Sequence, residues 1–445
     1  MKIKFINKLS GMQIFTLVWF GQFVSLMGTS MTRFATLIWA YEQTGKALTT
    51  AMLGFSSFLP YILLLPVAGV VVDRYSRKKI MIISDAMSAL ATVGMIVLYS
   101  TGNLKVWYLF FVEAYLASLE PFQAPAYSAA MTMLIPKEKY DRAYGMRSFA
   151  HYATQVFTPI LAGLIVVTLG LKAVLIIDIV TFFVAVCTTG LVNIPSPERK
   201  IKEQKEGIWS EFKYGIGYLL ERKGLIGIMA IMLLVYFSAS MTYNSILPAM
   251  ILARTDTNKV ILAGVTSALG LGGVAGSALT TAFGTPKKKV ITMFAGMGLS
   301  YLLGDIFLGL GRSQTVWYVA AFLSSFLLPV ARSAQNTLWQ CKIEPQVQGR
   351  VFSMRDTLQM AAAPLGFVAG GLMADYVFEP GMAVGGSMEK AFGWMVGSGP
   401  GAGMALMFFL NGILGVLICA SGIVLKDIRN LERDLPDFDA VAEEE

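Results

Sequence analysis

Long apolar stretches alternate with short polar breaks along the whole chain. Twelve stretches stand out: residues 13–40, 47–72, 80–100, 105–135, 143–168, 172–193, 223–252, 260–283, 290–310, 314–340, 351–376 and 402–425. A helix needs roughly 20 mostly apolar residues to cross the hydrocarbon core of a bilayer, and every stretch reaches that length. With no water in that core, backbone N–H and C=O groups must pair within the segment, which helices of this length do. The pattern predicts an all-α membrane protein with twelve transmembrane helices. Met1–Ser10 is basic, but the first stretch is too long and lacks a small-residue cleavage site, so no cleavable signal is expected.

The longest polar break, Pro195–Lys223, contains Pro195, Pro197 and many charges. It divides the stretches six and six. The expected organisation is an N-terminal six-helix bundle (1–194), a cytoplasmic linker (195–222) and a C-terminal six-helix bundle with a cytoplasmic tail (223–445). Within the linker, Glu203–Tyr218 fits a short amphipathic helix on the membrane surface. The tail after Lys426 becomes acidic at Asp437, Asp439 and Glu443–Glu445 and is expected to be disordered. The halves are also related to each other. Sliding the chain by 208 positions sets Pro121–Ser148 on Pro329–Asp356 without a gap, so that Arg142, Met146 and Arg147 meet Arg350, Met354 and Arg355. Polar matches at helix ends are a stronger sign of duplication than matches between apolar residues, and they predict two pseudo-symmetric bundles.

Composition agrees: 55% of residues are apolar and 14% charged, with a mean hydropathy of +0.62. Of the 36 Lys and Arg residues, 27 lie at the termini or in even-numbered connections and 7 in odd-numbered ones. The excess marks the cytoplasmic side, so both termini are expected there. This asymmetry accounts for the net charge of +8 without a nucleic-acid partner. Two cations remain, Arg33 and Arg332, inside spans 1 and 10. The three cysteines give no disulfide framework, and the single His151 has no metal-ligand spacing around it. No Walker motif is present, so ATP is not the expected direct energy source. No triad or metal cluster suggests an enzyme, and no cofactor is expected.

The junction Gly69-Val70-Val71-Val72-Asp73-Arg74-Tyr75-Ser76-Arg77-Lys78-Lys79 resembles the loop between helices 2 and 3 of the major facilitator superfamily, G-x-x-x-D-R-x-G-R-K/R, with Ser76 in place of Gly. Trp19–Ser25, Tyr41-Glu42-Gln43-Thr44-Gly45 and Gly349-Arg350-Val351-Phe352-Ser353 extend the likeness to bacterial exporters of the macrolide-efflux type and to enterobactin exporters. Thr158-Pro159-Ile160-Leu161-Ala162-Gly163 resembles the antiporter motif G-P-x-x-G-G, two glycines short. The resemblance implies a drug:proton antiporter in a bacterial inner membrane. It assigns Gly69, Asp73, Arg74, Arg77 and Lys78 to a gating motif at the inner helix ends. It also implies that spans 1, 4, 7 and 10 line a central cavity.

On those spans lie Arg33, Glu113, Glu120 and Arg332. A charge in hydrocarbon costs at least ~2.5 kcal/mol, so each needs a partner or a wet cavity. Arg33 and Glu113 both lie eight residues from the outer ends of their spans, about 12 Å deep, and are expected to pair. The internal repeat sets Glu120 opposite Leu328, one turn from Arg332, and these two are the second expected pair. Desolvation raises a carboxylate's pKa and a nearby arginine lowers it. A Glu that trades arginine for dry surroundings would take up a proton, which makes Glu113 or Glu120 the candidate proton-coupling group. A static pair that fixes packing is the alternative. Asp85 and Asp178 are expected to compensate helix starts, and Asp305 to have a structural partner on a peripheral helix. Substrate-binding candidates are Trp19, Phe23 and Met27 on one face of span 1, Tyr236, Ser240 and Tyr243 on span 7, and Asn336, Trp339 and Gln340 on span 10. Aromatic and Met surfaces adapt to varied apolar ligands.

The function expected is export of a bulky amphipathic compound, antibiotic-like or a secondary metabolite, by proton antiport and alternating access, from a monomer in the lipid bilayer. A siderophore or peptide exporter, a lysolipid flippase, and a non-transporting sensor or scaffold of the same fold remain alternatives. The Gly-rich external stretch Phe378–Gly403 is a candidate lid.

Overall fold

The structure, a computed structural model, describes residues 11–136, 139–192, 194, 216–344 and 347–437. Among these, all regular structure is helical. Ten helices are long and apolar enough to cross a membrane. Most of the expected surface helix Glu203–Tyr218, and the rest of the linker up to it, lie outside the described residues. The chain divides into two compact units: residues 11–44 with 55–194, and residues 45–54 with 216–437.

The first unit contains α1 (Gly11–Thr44), most of α2 (Ala47–Arg74), α3 (Arg77–Ser100), α4 (Val106–Leu134) and α5 (Tyr140–Leu191). α5 is continuous in hydrogen bonding, but Gly170 sits at φ 78°, ψ 175°, outside the helical region. The chain folds back there. Trp19 of α1 bonds the carbonyl of Met146, while Gly21, two residues on, lies against Thr188. A straight helix would hold Met146 and Thr188 about 63 Å apart. The second arm runs antiparallel to α1: a Cβ on Gly21 would fall 2.0 Å from Thr188 Oγ1, and one on Gly28 2.1 Å from Thr181 Oγ1. Glycine seven residues apart on one helix, against threonine seven apart on the other, allows the backbones this close approach.

The second unit contains α6 (Lys223–Arg254), α7 (Lys259–Phe283), α8 (Lys289–Leu310), α9 (Gln314–Lys342), α10 (Gln348–Met373), the short α11 (Glu389–Val396) and α12 (Ala402–Val424). α9 loosens at Leu327, just before Pro329, and α7 packs on it through Gly272 and Gly276, which face the carbonyls of Phe322 and Phe326. Three π-turns interrupt the α geometry: Ser240–Ile246 in α6, Tyr301–Asp305 in α8 and Ala374–Phe378 after α10. A buried apolar cluster including Ile228, Met232, Phe294, Leu338 and Trp339 fills the interior.

One expectation is corrected here. The tail is ordered as far as residue 437: Glu432 accepts from the backbone N–H of Lys289 at 2.7 Å and so caps α8, while the buried Lys342 pairs with Asp437 at 2.7 Å. Residues 438–445 lie outside the described residues. The stretch Phe378–Gly403 is folded around α11. Arg312 donates to the carbonyls of Trp394 (2.9 Å) and Met395 (3.1 Å), Arg254 donates to that of Val396, and Glu379 caps the start of α12.

Candidate functional site

Arg33 on α1 is the centre of a charge cluster in the first unit. Its Nη2 donates to Glu120 Oε1 at 2.5 Å, and its Nε lies 3.3 Å from Glu113 Oε2. Glu113 and Glu120 are two turns apart on α4, so both reach the one guanidinium from the same face. The two contacts differ in kind. The Glu120 contact is an aligned hydrogen bond, and the Glu120 side chain is 40% exposed. The Glu113 contact is ionic only. Arg33 Nε and Glu113 Oε2 are both buried and neither has a hydrogen-bond partner. Arg33 thus takes both glutamates, the expected partner Glu113 and also Glu120.

Two further buried carboxylates lie on neighbouring helices of the first unit, Asp178 on α5 and Asp85 on α3. Asp178 accepts from Thr32 and Thr92 at 3.0 Å and from Thr29 at 3.5 Å. Thr32 adjoins Arg33, whose charge also interacts with Asp178. Asp85 accepts from Gln123 at 2.6 Å and Gln22 at 2.9 Å, and Gln123 also donates to Gln22. Both aspartates are eight residues past a helix start or break, too deep to compensate a helix terminus, whose field falls off within a turn. They are interior hubs that tie α1 to α3, α4 and α5.

Trp19 and Phe23 stack at 5.5 Å, and Phe149 of α5 closes on both. Met27 continues this face, half-buried. At the hairpin, Lys78 donates to the carbonyls of Gly190 (2.7 Å) and Val192 (2.6 Å), a cation at a helix C-terminus. Arg77 donates to Ala129 O at 3.5 Å and to Met133 Sδ. Arg74 is exposed. Gly69 and Asp73 lie outside the residues whose side chains are described.

In the second unit, α6, α7, α8 and α9 line a partly open cavity of about 140 Å³ whose wall includes Tyr236, Tyr243, Tyr301, Asp305, Arg332 and Gln335. Tyr243 donates to Asp305 Oδ2 at 2.6 Å, and Asn411 of α12 donates to Oδ1 at 3.1 Å. Asp305 thus has the structural partners expected of it, and it also lines the cavity wall. Ser240 is buried under Gly366 of α10, away from the Tyr236–Tyr243 face, because the π-turn shifts the register. Trp339 is fully buried in the core, with the Arg355 guanidinium 5.2 Å from its ring, so it is a packing residue and not a ligand contact. Arg332, Asn336 and Gln340 form an exposed polar stripe at four-residue spacing on α9. His151 is exposed, 2.9 Å from Gln155.

The likeness to known proteins agrees with this architecture. The chain is 27% identical to macrolide efflux protein A of Streptococcus pyogenes over 366 residues, covering 82% of this chain and 90% of that protein. It is 23% identical to the multidrug efflux pump Tap of Mycolicibacterium fortuitum, covering 75% and 82%. The fold matches a bacterial homolog of the human lysosomal transporter Spinster, solved inward-facing and unoccupied, with a TM-score of 0.65 at 14% identity, covering 95% of this chain and 98% of that one. The family model for the Major Facilitator Superfamily matches residues 18–367, and with its helical, multi-pass membrane architecture this chain belongs to that superfamily.

Proposed function

We propose that this protein is an exporter of a bulky amphipathic compound, working by proton antiport, with Glu113 as the coupling carboxylate. The observation that carries the reading is the divided allegiance of Arg33. One guanidinium serves a half-exposed glutamate through a hydrogen bond and a buried one through charge alone. If Arg33 turns wholly to Glu120, Glu113 is left buried and unpaired, and a proton is the cheapest compensation. Glu120 is then the alternate partner.

The protein acts as a monomer in a bacterial inner membrane, with both termini cytoplasmic. It crosses the bilayer twelve times, with α4 added to the ten long apolar helices and α5 counted as two crossings about Gly170. Two six-helix bundles, 1–194 and 223–445, alternate access across the linker. Gly69, Asp73, Arg74, Arg77 and Lys78 form the gating motif. The Trp19–Phe23–Met27 face, Tyr236, Tyr243 and the Arg332–Asn336–Gln340 stripe contact the cargo. The efflux relatives favour a macrolide-like cargo.

The test is uptake of a radiolabelled macrolide into proteoliposomes of inverted orientation with an imposed pH gradient. Wild-type protein is expected to accumulate the compound only with the gradient. Glu113→Gln is expected to abolish the gradient's effect and Glu120→Gln to weaken it. Gradient-driven accumulation unchanged in both variants ends the proposal.

A further inference from the structure

The second unit contains a carboxylate that the Arg33 cluster does not involve. Asp305 is 1% exposed. It closes the π-turn Tyr301–Asp305 of α8 and faces the π-turn Ser240–Ile246 of α6. Such turns add a residue to a helix, re-aim the side chains around it and often mark functional sites. Here they bring the Tyr243 hydroxyl to Asp305 Oδ2 at 2.6 Å. From α12, Asn411 reaches Oδ1 at 3.1 Å, and its own carbonyl accepts from Ser238 at 2.8 Å. Ser238 in turn lies 3.1 Å from the Tyr301 hydroxyl. The backbone approach is tight: a Cβ on Gly412 would fall 3.1 Å from that of Asp305.

Every partner of this carboxylate is neutral. The groups facing it are Tyr243 and Thr242 from α6, Tyr301 on its own helix and Asn411 from α12; Ser324 from α9 bonds Tyr243. Arg332, further along α9, lines the same cavity but forms no ion pair with Asp305. In the first unit Arg33 stands against Glu113, Glu120 and Asp178. In the second, nothing described offsets the charge of Asp305. An ionised carboxylate enclosed in this way carries a large desolvation penalty, and a proton removes it. The adjoining cavity, about 140 Å³, has room for a few waters at roughly 30 Å³ each, and its wall supplies hydroxyl and amide partners for them.

We propose that Asp305 is a second proton-binding carboxylate, reached through the cavity of the second unit, with Tyr243 and Asn411 as its positioning residues. The proton enters by way of the cavity waters and sits on a carboxyl oxygen. The Tyr243 and Asn411 donors hold the group in one orientation in both of its states. The site is separate from Glu113 and stands whether or not Glu113 couples transport.

Infrared difference spectroscopy on the purified protein in lipid, between mildly acidic and mildly alkaline buffer, tests this directly. A hydrogen-bonded carboxylic-acid carbonyl band is expected in the wild type and lost in Asp305→Asn. In Tyr243→Phe, which removes one hydrogen bond, the band should move to higher frequency. In Glu113→Gln the Asp305 band should be unchanged. Asp305→Glu keeps the acid and is expected to restore a shifted band, which separates a titrating site from a fold that merely needs a polar group there. If the spectra of wild type and Asp305→Asn are identical while both proteins retain the same melting temperature, the proposal is overturned. The band's presence without gradient-driven flux would leave this site standing and remove the coupling role of Glu113 instead.

Discussion

Replacing Arg33 by Met removes the guanidinium while keeping much of the side chain's apolar stem. The consequence depends on which glutamate is left behind. Arg33 Nε is 3.3 Å from Glu113 Oε2, and two unit charges at that separation attract by about 5 kcal/mol at an effective dielectric constant of ~20. Most of that attraction offsets the desolvation of Glu113, whose side chain is only 10% exposed. Removing the guanidinium leaves that desolvation uncompensated, a loss of about 3–5 kcal/mol for a broken buried pair. Glu120, at 40% exposure, keeps contact with polar surroundings, and its bond contributes about 0.2–1 kcal/mol by comparison with exposed pairs. A second substitution tells the two apart. Thermal unfolding at neutral pH, followed by intrinsic fluorescence in detergent, is the assay. Arg33→Met should melt well below wild type. Adding Glu113→Gln should recover most of the loss, and adding Glu120→Gln little of it. Equal rescue by both, or no loss in Arg33→Met, would refute the claim that Glu113 is the carboxylate held by charge alone.

Other outcomes follow from the same geometry. Gly403→Ala places a Cβ 2.3 Å from the carbonyl carbon of Phe378 and 2.4 Å from the amide of Glu379. With only backbone to yield, the cost is about 1–3 kcal/mol, read as a lower melting temperature and yield. Asp375 accepts from the backbone N–H groups of Ala47 and Leu48, each at 2.9 Å, and so caps α2. Asp375→Ala should cost about 0.5–2 kcal/mol and speed hydrogen exchange in residues 45–54, while Asp375→Asn should retain part of the protection. Asp178→Ala strands the Thr32 and Thr92 hydroxyls and should destabilise by about 1–3 kcal/mol; an unchanged melting curve would remove its role as a hub.

Much of this arrangement is legible in the sequence because the bilayer imposes it. The stretch 13–40 becomes α1 because a spanning helix needs that length of apolar chain, and Gly170 falls in the gap between two stretches where the chain must reverse. Arg33 and Glu113 meet because rise per residue converts sequence position into depth. What periodicity does not encode is a change of helix type. The π-turn at Ser240–Ile246 sends Ser240 under Gly366 while its neighbours Tyr236 and Tyr243 face the cavity. Asp305 was visible as a charge inside a span, but its place in the cavity wall depends on a second π-turn that no local pattern announces. Reach is also invisible: a guanidinium is long enough to hold two carboxylates seven residues apart, so Glu120 joins Glu113 on Arg33. Asp85 and Asp178 sit eight residues past a helix start or break, close enough in sequence to resemble terminal charges and too deep in space to act as such.

The central claim is that one buried glutamate exchanges a proton as cargo binds. It is tested most directly by adding a macrolide to weakly buffered, detergent-solubilised protein and recording pH. Wild-type protein should release protons on binding, and Glu113→Gln should bind the compound with that release lost. Equal proton release from both proteins, or binding by wild type with no release at any starting pH, would contradict it.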